Sequence, residues 1–305
     1  MTATLTPTPD LPEIDAIDLK PKRSGRSVRN GIATALMGFS VVAVLVPLLL
    51  ILGSVIQKGA SVLSWSFLTE DIPPVRRQGP GMGPAVVGTI VITATAAAMA
   101  IPLGILGAVY LQEYGKTGRL AQVLRFFADV MTGVPSIIMG LFIYTFWVVR
   151  FGVNGVTGFA GALALACLML PIVIRSTEEM LKLVPDDLRE ASFALGSSKA
   201  RTVWKIVLPA AFPGILSGVL LAVARAAGET APLLFTIGAA TQVNWNVFKG
   251  PNTALSAQIF TNAQQPFVGA QERAWGAALT LIIISFALLV AARVVAARFG
   301  PARGR

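Results

Sequence analysis

Arg225 and Glu229 stand in the run Arg-Ala-Ala-Gly-Glu-Thr-Ala-Pro, positions 225 to 232, within a stretch that is otherwise apolar or small. A guanidinium at the centre of a bilayer costs about 2.5–3.5 kcal/mol on insertion scales, so such an arginine is expected to face protein or water. Its planar, permanently charged donors suit oxyanions of the phosphate type. Glu229 lies four residues on and therefore on the same helix face. The two could form a purely structural pair, worth only about 0.2–0.5 kcal/mol on an exposed helix and weaker in this Arg-first order. The reading adopted is that they line a path for an anion. Ala226 to Gly228 and Pro232 keep the backbone accessible there and are expected to bend or end the helix.

Other reactive chemistry is scarce. The chain has no histidine, which removes histidine metal sites and Ser-His or Cys-His catalysis. Its single cysteine, Cys167, lies in an apolar run, so no disulfide can form within the chain. No G-x-x-x-x-G-K-[ST] phosphate loop occurs, so the chain is not expected to hydrolyse ATP. Gly79-Pro-Gly-Met-Gly83 reads as a turn entering an apolar run, and Gly214 and Gly218 read as a helix-packing pair. Asp129 and Pro135 are read as structural in preference to contacting substrate, with Asp129 capping a broken helix or pairing with Arg125 at i−4. Glu178 and Glu179 are read as a solvated face or a partner contact.

The elements that position these residues are membrane helices. Apolar residues make up 54% of the 305, charged residues only 13%, and mean hydropathy is +0.71; soluble chains average about 25% charged. A bilayer core needs about 20 apolar residues per helix. Six runs qualify: Gly31 to Gln57, Gly83 to Leu111, Val130 to Val149, Phe151 to Ile174, a fifth from near Leu208 past Arg225 and Glu229 toward Phe235, and Ala274 to Ala292. The first is too long for a signal-peptide core and is read as retained. Under this arrangement eighteen lysines and arginines flank one side and six the other, with Arg225 alone inside a span. The basic side is expected to be cytoplasmic, with both termini. The net charge of +10 then reflects topology and anionic lipid rather than nucleic acid. The expected organisation is a cytoplasmic tail at 1–30, disordered over its first residues, a six-span domain at 31–298 with a cytoplasmic loop at 183–207, and a basic tail at 299–305.

That loop is capped and polar. Pro185, Asp186 and Asp187 suit the first turn of a helix, and Gly196 its end. Leu188, Ala191, Ser192 and Leu195 form a narrow stripe at i, i+3, i+4, i+7, with Glu190 off it. Ser197 or Ser198 caps a second helix running to Ile206, Leu208 and Pro209. Glu190, Ala191, Ser192, Gly196, Ile206, Leu208 and Pro209 together resemble the EAA loop of ABC importer permeases, with Ser192 in place of the second alanine. In that family the loop docks on a separate ATPase subunit, which binds ATP and magnesium. The resemblance implies that role for Glu190, Ala191, Ser192, Gly196, Leu188 and Leu195, and no cofactor on this chain.

The segments from Ala224 to Ala239 and from Phe127 to Phe142 resemble the phosphate-specific importers, nearer their A-type than their C-type permease subunit. The likeness runs from about residue 35 to 298. It implies an all-α, six-span type I importer permease in the inner or plasma membrane of a prokaryote. It also implies a homologous C-type permease, two ATPase subunits and an external phosphate-binding protein as partners. In that family an arginine at the position of Arg225 is needed for transport, with Glu229 its expected modulator. The residues alone support an anion, leaving sulfate and molybdate open beside phosphate. A secondary anion transporter would also accommodate the Arg-Glu pair, but should show internal repeats and needs no docking loop.

Overall fold

The computed structural model describes residues 25–115 and 118–299, so most of the tail expected at 1–30, nearly all of that at 299–305 and Lys116 lie outside the described residues. All regular structure among the described residues is helical. In chain order the helices are α1 (Gly25–Ala60), α2 (Trp65–Thr69), α3 (Gly83–Val109), α4 (Arg119–Gly133), α5 (Ser136–Ile143), α6 (Val149–Phe151), α7 (Gly158–Lys182), α8 (Asp186–Ala194), α9 (Lys199–Thr202), α10 (Leu208–Ala227), α11 (Ala231–Thr236), α12 (Leu255–Ala263) and α13 (Val268–Phe299). Wider π-helical turns extend α3 through Tyr110–Gly115, join α5 to α6 and join α9 to α10. Among the described residues six segments are long and apolar enough to cross a membrane: Val28–Ala60, Gly83–Gly115, Ser136–Gly155, Gly158–Lys182, Lys199–Ala227 and Val268–Ala291.

The chain divides into two units between Leu52 and Gly53. Over its described residues the first is a single apolar helix, the beginning of α1, with Pro47 inside it. The second holds every other element.

Boundaries of the third to sixth spans differ from the expected ones: the third runs on through Arg150 to Gly155, the fourth starts at Gly158 rather than Phe151, and the sixth starts at Val268 rather than Ala274. The third span starts at Ser136 rather than Val130, because Val134 and Pro135 are extended, with ψ of 129° and 136°, and separate α4 from α5. Proline lacks an N–H and pushes its predecessor out of the helical region, which is sufficient cause. The fourth span continues past Ile174 to Lys182, carrying charges that find partners in the protein. The fifth begins at Lys199, nine residues before the expected Leu208, and its helix ends at Ala227.

Within the second unit α7 is the central helix, and small residues decide what reaches it. Gly104 of α3 abuts Val173, where an added Cβ would lie 2.6 Å from a valine methyl. Gly214 and Gly218 of α10 abut Met180 and Ser176, so this pair packs α10 on α7 as its spacing predicts. Ala96, Ala100, Ala162, Leu165, Met169 and Ala226 are among the residues of the core so formed. At the opposite end from α8, the carbonyl of Thr253 lies against Gly88, and the Thr89 hydroxyl accepts the Leu255 N–H at 2.8 Å. That pair seats the start of α12 on α3. The Gly79–Gly83 segment is the expected turn: Gly79 and Gly81 take φ of 139° and 130°, and Arg273 donates to the carbonyls of Arg77 and Gly79.

Candidate functional site

Arg225 occupies the last turn of α10, and the helix stops immediately after it. The Gly228 N–H returns to the Arg225 carbonyl and the Glu229 N–H to that of Ala226, both at 3.1 Å. The chain then restarts as α11, with Pro232 in its first turn. The break is held from outside: the Ser256 hydroxyl of α12 donates to the Glu229 carbonyl at 2.8 Å, and the Pro232 backbone packs on Gly140 of α5. A side chain at position 140 would prevent this approach.

The contact between Gly140 and Pro232 brings the break after α10 beside the break between α4 and α5. Between them lies a pocket of about 280 Å³, lined by Thr132, Pro135 and Ser136 from one break, Leu168, Met169 and Ile172 from α7, and Arg225 and Glu229 from the other. The register of α7 on α10, with Ser176 at Gly218, places Arg225 level with Met169, about half-way along α7. Broken helices at such depth are tolerated where their backbone lines a cavity. The Arg225 Nε to Glu229 Oε1 distance is 3.7 Å, with side-chain exposures of 69% and 20%. So loose and exposed a pair contributes little to folding, leaving the guanidinium open to the pocket. Thr132 and Ser136 add hydroxyls, and the start of α5 adds the positive end of its dipole. Pro135, read as structural with substrate contact the lesser alternative, lines the pocket, and so do Thr132 and Ser136, for which the sequence offered no reading. The signal that could have found them was a proline flanked by hydroxyl residues inside an apolar run.

One turn beyond Ile172, α7 carries an ion-pair cluster that corrects two expectations. Glu178 is no solvated face: its side chain is 1% exposed and receives Arg125 Nε at 2.8 Å, Lys182 Nζ at 3.2 Å and Arg175 Nη1 at 3.3 Å. Glu179 is exposed. Asp129 pairs with Arg175 of α7 rather than with Arg125 one turn back, because Arg125 reaches across to Glu178 and to the Leu111 carbonyl. The cluster fastens α4 to α7 beside the pocket.

The 183–207 loop has the predicted local form. Pro185 precedes α8, Asp186 and Asp187 fill its first turn, Gly196 takes φ of 77°, and Ser198 accepts the Arg201 N–H to cap α9. α9 then runs through the π turn into α10 without interruption. The expected stripe divides. Leu188, Ala191 and Leu195 are exposed, as are Glu190 and Gly196, and Leu195 reaches 87%. Ser192 turns inward, where its hydroxyl lies 2.8 Å from that of Thr202. The serine in place of alanine is thus matched by a buried hydroxyl partner. Arg189, also turned inward, is bonded to Glu113 at the end of α3, a pairing not foreseen. Among the described residues no group of three or more Asp, Glu or Cys side chains is placed to hold a metal.

Residues 100–303 match the family described as binding-protein-dependent transport system inner membrane component. The chain belongs to this family. It is accordingly an all-α, multi-pass component of the inner membrane. Among curated relatives, it is 42% identical over 296 residues to phosphate transport system permease protein PstA 1 of Mycobacterium tuberculosis H37Rv, covering 96% of this chain and 94% of that one. It is 43% identical to the PstA protein of Mycobacterium leprae over 89% of this chain and 90% of that one. The PstA protein of Yersinia pestis is 42% identical, with coverages of 91% and 93%. Two solved ABC transporters share the fold. An inward-facing methionine ABC transporter matches with a TM-score of 0.55 at 19% identity, over 72% of this chain and 94% of that one. A bacterial transporter importing alginate matches with a TM-score of 0.60 at 12% identity, over 90% and 99%.

Proposed function

We propose that this family member is a permease subunit of an ATP-driven importer of inorganic phosphate. The observation that carries the reading is the open guanidinium of Arg225, half-way along α7 in a pocket between two helix breaks. The names of its relatives, at 42–43% identity over most of the chain, point to phosphate. Phosphate carries a charge of about −1.5 to −2 in its esters near neutral pH, and an apolar path opposes any such charge strongly. One cation exposed at the pocket lowers that barrier while Glu229 limits how tightly the anion is held.

The end bearing α8 is cytoplasmic in this reading, since lysine and arginine concentrate there. The exposed residues Leu188, Glu190, Ala191 and Leu195 dock on an ATPase subunit, which supplies ATP and magnesium chemistry. A homologous permease completes the path against the apolar outer faces of α4 and α5, where Leu120, Phe126, Phe127, Ile137 and Phe142 are exposed. A phosphate-binding protein delivers from the other side. Closure of the ATPase pair moves α8 and rocks α4, α5, α7 and α10, opening the pocket alternately to each side.

The test is ATP-dependent uptake of radiolabelled phosphate by the complete complex in proteoliposomes. Uptake that resists excess sulfate and molybdate supports phosphate as the cargo. Uptake that either anion suppresses, or that proceeds without ATP, removes the reading.

A further inference from the structure

Arg189 faces away from the exposed side of α8 and is 8% exposed. Its guanidinium donates through Nε and Nη2 to Glu113 Oε1 at 3.3 and 2.8 Å, and through Nη1 to Asp186 Oδ1 at 3.0 Å. It also reaches the carbonyls of Val184 at 2.7 Å and Leu181 at 3.0 Å. Glu113 is 4% exposed and sits in the π turn that ends α3. One side chain of α8 therefore joins three elements: its own helix, the end of α7 and the end of α3. The carbonyls at the end of α7 are the negative end of that helix, which favours a cation there.

These attachments lead to the parts of the protein that would have to move. α7 carries Leu168, Met169 and Ile172 into the Arg225 pocket, and the far end of α3 seats α12, whose Ser256 holds the Glu229 carbonyl. Close-packed interiors transmit displacement rather than absorb it. A buried ion pair is a poor means of stabilisation, since an apolar pair of the same volume often does as well. It does fix direction and register, because its donors and acceptors admit one geometry.

We infer that Arg189 and Glu113 form a coupling strut, a positioning pair that carries the displacement of α8 into α3 and α7 and so to the substrate pocket. This rests on the reading that an ATPase docks on α8. The test uses the complete complex with its ATPase and binding protein and radiolabelled inorganic phosphate. Glu113→Gln keeps shape and one acceptor but loses the charge, and the double variant Arg189→Met/Glu113→Leu replaces the pair by packing. In both, the ATPase should still co-purify. Uptake should fall by about tenfold, within the ~5–150-fold range of coupling between distant sites. ATP hydrolysis should no longer respond to loaded binding protein.

Normal uptake in docked Glu113→Gln overturns the strut. So does normal coupling in the double variant once its thermal stability matches the parent, because the pair would then be structural only. A Leu188→Glu variant separates the two readings: an ATPase that still binds it refutes docking on α8, and the strut falls with it.

Discussion

Arg225→Ala separates a folding role from a transport role, because the structure predicts opposite magnitudes for them. The Arg225 side chain is 69% exposed and its nearest contact with Glu229 is 3.7 Å. An exposed ion pair of that kind contributes no more than about 0.5–1 kcal/mol, so the variant should insert, assemble and melt as the parent does. In the assembled complex, where the second permease closes the pocket off from bulk water, a unit charge about 4 Å from one negative charge of the phosphate is worth about 4 kcal/mol at an effective dielectric of about 20. At about 1.4 kcal/mol per decade this corresponds to a loss of roughly 10³-fold in the rate of passage. Arg225→Lys keeps the charge and loses the planar fork, so it should fall between parent and alanine. The assay is initial phosphate uptake by proteoliposomes with equal amounts of assembled complex, with a thermal melt of the same preparations. Uptake by Arg225→Ala within twofold of the parent, in an assembled complex, would refute the argument that this guanidinium stabilises the anion in transit. A large fall in melting temperature would instead show that the exposed pair holds the fold.

Two further outcomes follow from buried contacts and a third from backbone geometry. Glu178→Ala removes the buried carboxylate shared by Arg125, Arg175 and Lys182, which are themselves partly exposed, so it should destabilise the protein by about 1.5–3 kcal/mol, read as a lower melting temperature in detergent. Thr202→Val strands the Ser192 hydroxyl and should cost about 1–3 kcal/mol, whereas Ser192→Ala/Thr202→Val should recover most of it; a double variant no more stable than Thr202→Val would contradict the pairing. Gly196→Val forces a β-branched residue to φ near 77°, costing about 1–3 kcal/mol. That should abolish co-purification with the ATPase while leaving membrane insertion intact.

Local chemistry made some of this visible in the chain itself. Pro185, the two aspartates after it, Gly196 and Ser198 specify α8, its corner and α9 because capping acts within one turn. Hydropathy yields six spans because each must individually match the thickness of a bilayer, whatever its neighbours. Lone charge in an apolar run drew attention to Arg225, and Gly228 and Pro232 marked the end of its helix. The boundaries of the third to sixth spans differ because apolar content does not fix where a helix starts or stops. Apolar content extends through a proline break at Pro135, and charge need not end a helix: Arg175 and Glu178 are paired within α7, while Lys199, Arg201 and Lys205 lie exposed on the helix that runs into α10.

The pairings themselves were beyond reach of sequence periodicity. Arg125 finds Glu178 across 53 residues, Arg175 finds Asp129 across 46, and Arg189 finds Glu113 across 76. A helical pattern reports which side chains share a face, but not which helix lies opposite. That choice is made by close packing at Gly104, Gly140, Gly214 and Gly218, where the absence of a side chain lets one particular neighbour approach. The sequence by itself determined a six-span helical membrane chain, an anion-suited arginine and a capped, polar loop. Only the tertiary structure set that arginine between two helix breaks and tied the loop to α3 and α7, because both depend on contacts between distant segments that no local rule encodes.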